Sequence, residues 1–115
     1  MAETIFSKII RREIPSTIRF EDDDFIVIND IHPKAPVHVL IIPKKAYESL
    51  EAVDLSDDVF YAKLLKKTRQ VAKELDIANN YKIFMNVGKE VQDIQHLHLH
   101  LMGGWKQTKP VLFSE

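Results

Sequence analysis

Residues 96–101 read His-Leu-His-Leu-His-Leu, and this run holds three of the chain's five histidines. Strict alternation is the period of a β-strand, whose successive side chains point to opposite faces. His96, His98 and His100 then line one face, and Leu97, Leu99 and Leu101 the other. The leucine face can join a core. The histidine face has no packing reason to exist, because three neighbouring imidazoles repel one another when protonated. Histidine is the side chain whose ordinary pKa lies near physiological pH. Such a row can supply a nucleophile, a phosphate ligand and a proton relay, or it can bind a metal. Clustered titratable groups point to a functional site rather than to a solvated strand face. Three histidines suffice for a catalytic zinc. Residues i and i+2 on a strand stand about 6.5–7 Å apart, so convergence on one ion needs favourable rotamers, whereas the spacing suits imidazoles laid along a phosphoryl group.

Working outward from the row, the spacing predicts a strand over about 95–102, broken by Gly103-Gly104, with a tail over 105–115. Tyr81 to Val87 reads as another strand. Between about Ser56 and Leu75, the apolar positions Phe60, Leu64, Val71 and Leu75 predict the longest helix, capped by Asp54 or Ser56. Val37 to Ile42 is a β-branched run closed by Pro43. Segment 30–36 carries two prolines and reads as a loop. Residues 17–21 and 25–29 form a hairpin around Asp22-Asp23-Asp24. Ile5, Phe6, Ile9 and Ile10 recur at helical spacing, and Pro15 stops that pattern after Ile14. Parallel pairing needs long crossovers, and most connections here are short. The expected fold class is therefore α+β: a mainly antiparallel sheet of about five strands, with one long and one short helix packed on one face.

The 115 residues fit a single domain spanning 1–115. Hydrophobic residues at 45% and charged residues at 29% are ordinary for a globular protein and allow a core without staples. With no cysteine, disulfides and thiolate metal sites are excluded. A formal net charge of −1 gives no electrostatic case for nucleic-acid binding. The N-terminus lacks the pattern of a signal peptide, and no apolar run approaches the ~20 residues that span a bilayer. The expectation is a cytoplasmic enzyme or binding domain, without membrane or nucleic-acid partners. No glycine-rich phosphate loop is present, so phosphate recognition falls to the histidines and nearby backbone amides.

His96-Leu97-His98-Leu99-His100-Leu101-Met102 resembles the signature of the histidine triad (HIT) family, His-φ-His-φ-His-φ-φ with φ apolar. Thr4 to Ile10, Phe20 to Asp23, Asp30 to His38 and Ile41 to Lys45 are also similar to that family, so the likeness runs from residue 4 to about 104. The branch it resembles most is the histidine triad nucleotide-binding (Hint-like) proteins, which are purine nucleoside phosphoramidate hydrolases. Asn86 is compatible with that branch. His100 speaks against the galactose-1-phosphate uridylyltransferase branch, where glutamine takes this place.

The resemblance implies a fold and a set of roles. His98 would attack the α-phosphorus and form a nucleotidyl-histidine intermediate, its other ring nitrogen fixed by a backbone carbonyl. His100 would contact phosphoryl oxygens and, with His38 on a neighbouring strand, handle protons for the leaving amine. His96 would support the row. Asp30 matches the ribose ligand, since a carboxylate can accept from both hydroxyls. Asn86 would donate an amide hydrogen near the leaving group. Ile5, Phe6, Ile9, Ile28 and Ile31 match the lining of an apolar purine slot. Gln92 and Asp93 fall in the phosphate loop. His32, in the proline-rich loop, reads as a surface residue. The Lys44-Lys45 pair reads as a solvated strand end.

The chain departs from the family pattern in places. Over Asn86 to Gln95 the loop is one residue shorter and its later glycines are gone. Asp93 stands where a serine or threonine often donates to phosphate, and an ionised carboxylate has no proton to give. Ala46 replaces a common family histidine. Thr4 and Ser7 stand where zinc-carrying relatives have cysteines, so neither a structural zinc nor any other cofactor is expected. In the resembling branch the tail reaches over a homodimer toward an active site, and here it contains Trp105 and Val111-Leu112-Phe113. The leading expectation is a phosphoramidate hydrolase that is a homodimer. Hydrolysis of dinucleoside polyphosphates, nucleotide binding with little turnover, and a direct metal site are the alternatives.

Overall fold

The computed structural model describes residues 3–106. In chain order its elements are helix α1 (Ile5–Ile10), strands β1 (Ile18–Glu21), β2 (Phe25–Asn29) and β3 (Val37–Pro43), a single 3-10 turn (Leu50–Ala52), helix α2 (Asp58–Glu74), and strands β4 (Tyr81–Phe84) and β5 (Leu99–Gly103). The strands form one sheet in the order β1-β2-β3-β5-β4, and every neighbouring pair is antiparallel.

Helix α1 starts at a capping box. Thr4 Oγ1 accepts from the Ser7 N–H, and Ser7 Oγ accepts from the Thr4 N–H. It ends at Ile10, before the Ile14 boundary expected from Pro15. The Arg12 N–H donates to Ile9 O and the Glu13 N–H to Lys8 O, with Arg12 in the left-handed region at φ 64°. That pair of bonds is a Schellman motif, and it stops the helix ahead of the proline. Helix α2 is capped by Asp57, whose carboxylate accepts from the Phe60 N–H at 3.0 Å. Asp54 and Ser56, the expected caps, instead bond to each other just upstream. The β1–β2 hairpin closes on Asp22, whose Oδ1 accepts from the N–H groups of Asp24 and Phe25.

The two helices lie on opposite faces of the sheet, not on one. Phe6 and Ile9 of α1 pack with Ile26, Ile28, Leu40 and Ile42. Leu64, Val71 and Ala72 of α2 pack with Phe25, Val27, Val39, Ile41, Leu99 and Leu101. The reason lies in β2 and β3. Phe25 to Ile28 and Val39 to Ile42 are unbroken apolar runs, and such strands need cover on both faces.

Two strands are shorter than expected. The ladder of β5 begins at Leu99, so His96 and His98 precede it; the Leu97 N–H is held by Tyr47 O instead. Strand β4 leaves the ladder after Phe84, which frees Met85 to Val87. Gly103 completes β5, where a Cβ would stand 2.8 Å from Ile77 Cδ1. Gly104, at φ 85°, ends the strand. Trp105 lies against Lys82, with the ammonium 5.6 Å from the ring centroid. The rest of the tail, Val111-Leu112-Phe113 included, lies outside the described residues.

Candidate active site

Antiparallel register builds the site. Leu40 of β3 faces His100 of β5, and His38 faces Met102, so His38 and His100 share the α1 face. Phe84 of β4 faces His100 from the other side. Leu99 and Leu101 turn to the α2 face and join its core. The result is a cavity of about 600 Å³ on the α1 face. Ile5, Phe6, Ile9, Ile28 and Ile94 make an apolar wall, and Asp30, His38, His98, His100, Asn86 and Asp93 supply polar groups. Ile31 belongs to the rim, 79% exposed.

Each of the four histidines at the site has at least one ring nitrogen committed. The His96 Nε2–H donates to Pro43 O at 2.8 Å. His96 is fully buried, outside the cavity lining, with its ring edge-on to Phe6. Its carbonyl accepts the His98 Nδ1–H at 2.7 Å. A neutral His98 therefore carries its proton on Nδ1 and a lone pair on Nε2. Its ring packs edge-on against Phe6 at 5.0 Å. Burial holds the His98 pKa below the ordinary imidazole value, while the His96 carbonyl and the carboxylates of Asp30 and Asp93 pull it back.

The third and fourth histidines form a pair. The Lys34 N–H donates to His38 Nδ1 at 3.1 Å, which leaves the His38 proton on Nε2. That nitrogen lies 2.9 Å from His100 Nδ1. His38 is then the donor, and a neutral His100 carries its own proton on Nε2. The His100 ring stacks flat on Phe84, with centroids 4.3 Å apart and planes 5° from parallel. Burial, then the charges of His98 and His38, push the His100 pKa down to about 4. Burial also lowers that of His38, against the pull of Asp30.

Asp30 Oδ1 accepts from the His32 N–H at 2.8 Å, which turns the chain into the proline-rich loop. Its Oδ2 lies 3.4 Å from His38 Nε2 and 3.9 Å from His100 Nδ1. These three atoms are close enough together to suggest a metal site. The protonation pattern does not fit one. A metal on His38 Nε2 needs a lone pair there and the proton on Nδ1, and the Lys34 N–H already points at Nδ1. Ligating histidines instead donate their second N–H outward to an acceptor.

Most residues singled out in the sequence line this one cavity; His96 and Gln92 do not. Gln92 is buried in the loop. Its Oε1 accepts from the Gly88 N–H, and its Nε2 donates to the carbonyls of Glu48 and Ile94. It braces the shortened loop rather than facing a ligand. Thr4 and Ser7 are engaged in the α1 cap. His32 is exposed, as expected, but belongs to the cavity rim. Lys44 pairs with Glu21 at 2.8 Å. Sequence reasoning missed Phe84 and the Lys34 amide. Phe84 becomes visible only once the β4–β5 register is known, and a backbone amide has no sequence signal.

The profile of the HIT domain family matches residues 11–107. The chain belongs to the HIT family. An uncharacterised HIT-like protein of Synechocystis is 50% identical over 106 residues, covering 90% of this chain and 93% of the relative. A HIT family hydrolase from Clostridium thermocellum superposes with a TM-score of 0.83 at 40% identity, over 98% of this chain and 99% of that one. A histidine triad nucleotide-binding protein from Candida albicans gives 0.74 at 30% identity, over 98% and 87%. The α+β fold and the family expected from residues 96–102 are thus those of this HIT protein.

Proposed function

We propose that this HIT protein hydrolyses purine nucleoside phosphoramidates through a nucleotidyl-histidine intermediate. The observation that carries the reading is the fixed proton of His98. Its Nδ1–H is held by the His96 carbonyl, so the free lone pair belongs to Nε2, and the ring lines the cavity. A lowered pKa keeps that lone pair available at neutral pH. In the first step Nε2 attacks the α-phosphorus. A new P–N bond forms and the bond to the amine breaks. The anionic phosphate raises the pKa of the adjacent imidazoles, so the His38–His100 pair is protonated in the substrate complex, and that proton leaves with the amine. In the second step water attacks phosphorus, its proton returns to the pair, the P–Nε2 bond breaks with its electron pair returning to His98, and nucleoside monophosphate departs. The apolar wall takes the purine by its faces, and Asp30 accepts from the ribose hydroxyls. Asn86 donates near the leaving group. The hydrolase from Clostridium thermocellum and the nucleotide-binding protein from Candida albicans support this class of activity.

A second reading has one observation in its favour. Asp93 belongs to the lining, and its charge reaches His98. A carboxylate there repels phosphate and favours nucleotide binding with little turnover. Incubation with adenosine 5′-phosphoramidate beside diadenosine tetraphosphate, with and without chelator, separates the readings. The expected result is chelator-independent release of monophosphate from the phosphoramidate. Preferred cleavage of the tetraphosphate assigns the polyphosphate activity instead, and absence of turnover on both assigns the binding protein. In His98→Ala turnover and any covalent adduct should vanish while monophosphate still binds. A nucleotide adduct found by mass spectrometry on that variant removes His98 from the role.

A further inference from the structure

We propose that Asp30 couples sugar binding to the acidity of the His38–His100 pair. The inference rests on the nucleotide reading above and adds a device to it. Asp30 Oδ2 lies 3.4 Å from His38 Nε2 and 3.9 Å from His100 Nδ1. The two nitrogens are 2.9 Å from each other. One carboxylate oxygen thus stands within reach of the hydrogen bond that joins the histidines. Oδ1 is tied to the His32 N–H, so the carboxylate cannot swing away without breaking that hydrogen bond. Oδ2 can stabilise a positive charge on the pair, because an opposite charge within about 4–6 Å favours the protonated imidazole.

Other groups around the pair do not provide this help. Lys34 on the same loop and His98 beside His100 are cationic or neutral, and both oppose a positive charge there. Asp93 acts on His98. Phe84 covers His100 from β4, and α1 turns apolar side chains to the cavity. His32 is exposed at the rim. Asp30 is therefore the carboxylate on which the protonated pair depends.

Ribose hydroxyls are donors. When two of them bond to the Asp30 carboxylate, its lone pairs are filled and its charge is dispersed. A protonated pair then loses support and becomes a stronger acid, and at intermediate pH the displaced proton goes to solvent. With a complete substrate bound, the same loss favours transfer to the departing amine. Asp30 thus acts as a positioning residue for proton transfer as well as a sugar ligand. A sugar without hydroxyls would fill the slot without triggering the change.

The test uses nucleosides, because a phosphate would itself raise the histidine pKa values. Labelled imidazole NMR follows the first protonation of the pair in the free protein, with saturating adenosine, and with saturating 2′,3′-dideoxyadenosine. Adenosine should lower the midpoint by about half a pH unit or more, and the dideoxy nucleoside should leave it in place. In Asp30→Asn the free protein should already titrate at the lower pH, and adenosine should move it no further. If both nucleosides perturb the Phe6 and Ile28 signals yet move the midpoint equally or not at all, the coupling is overturned and the nucleotide site stands. If neither nucleoside binds, the nucleotide reading fails and the coupling fails with it.

Discussion

At the scale of the residue, burial decides the protonation of every histidine in the site. His38, His96, His98 and His100 all have pKa values below the ordinary 6.5, with desolvation as the first cause in each case. The sign of the consequence follows from linkage. The unfolded chain binds these protons near pH 6.5, whereas the fold resists them, down to about 4 at His100. The associated stability is full above the unfolded value and is lost as pH falls through the folded one. Thermal unfolding should therefore show a midpoint that drops between about pH 6.5 and pH 5, above the carboxylate range. His100→Gln should flatten that drop, and an unchanged slope in this variant would contradict the assignment. Asp93 raises a different question at the same scale. If its charge opposes phosphate, Asp93→Ser should tighten monophosphate binding by about 1–3 kcal/mol, a hydrogen bond gained and a repulsion removed. Calorimetric titration of both proteins at neutral pH decides this. Equal affinities would mean that the carboxylate turns away from the phosphate, with backbone amides of the shortened loop as its ligands.

At the scale of the element, capping shows what can be read from sequence and what cannot. Helix α2 was legible from Phe60, Leu64 and Val71, and the hairpin from the three aspartates at its turn. The capping residue was not, because Asp54, Ser56 and Asp57 compete within four positions. The structure assigns the cap to Asp57 and gives Asp54 to an upstream turn. Asp57→Ala should cost about 1 kcal/mol in urea unfolding, the usual loss for a removed N-cap. A change near zero would mean that Ser56 or Asp54 takes over. The unbroken apolar runs of β2 and β3 carry the signal that both sheet faces are covered, whereas short connections and the α+β class point to helices on one face. Within the site, the side chains were legible because their chemistry is rare. The Phe84 stack and the Lys34 amide were not, since both depend on register and backbone direction, which a single sequence leaves open.

At the scale of the whole molecule, the site depends on an edge. Strand β4 has four residues and one neighbour in the sheet, β5. It nevertheless carries Phe84, which holds the His100 ring flat, and leads directly to Asn86 at the cavity wall. Among the described residues its outer edge is unpaired, and such an edge invites another strand. Ile83 on this strand is 40% exposed and Leu65 on α2 is 54% exposed. The expected homodimer would join two β4 strands edge to edge across a twofold axis. Pairing would then fix the strand that positions His100, so assembly and activity should fail together. Light scattering at micromolar concentration should give twice the chain mass. Ile83→Glu should give the single mass, with turnover reduced and the His100 resonance moved by loss of the Phe84 stack. A wild-type protein that is monomeric under these conditions, or an Ile83→Glu monomer with full turnover, would show that β4 holds its shape alone.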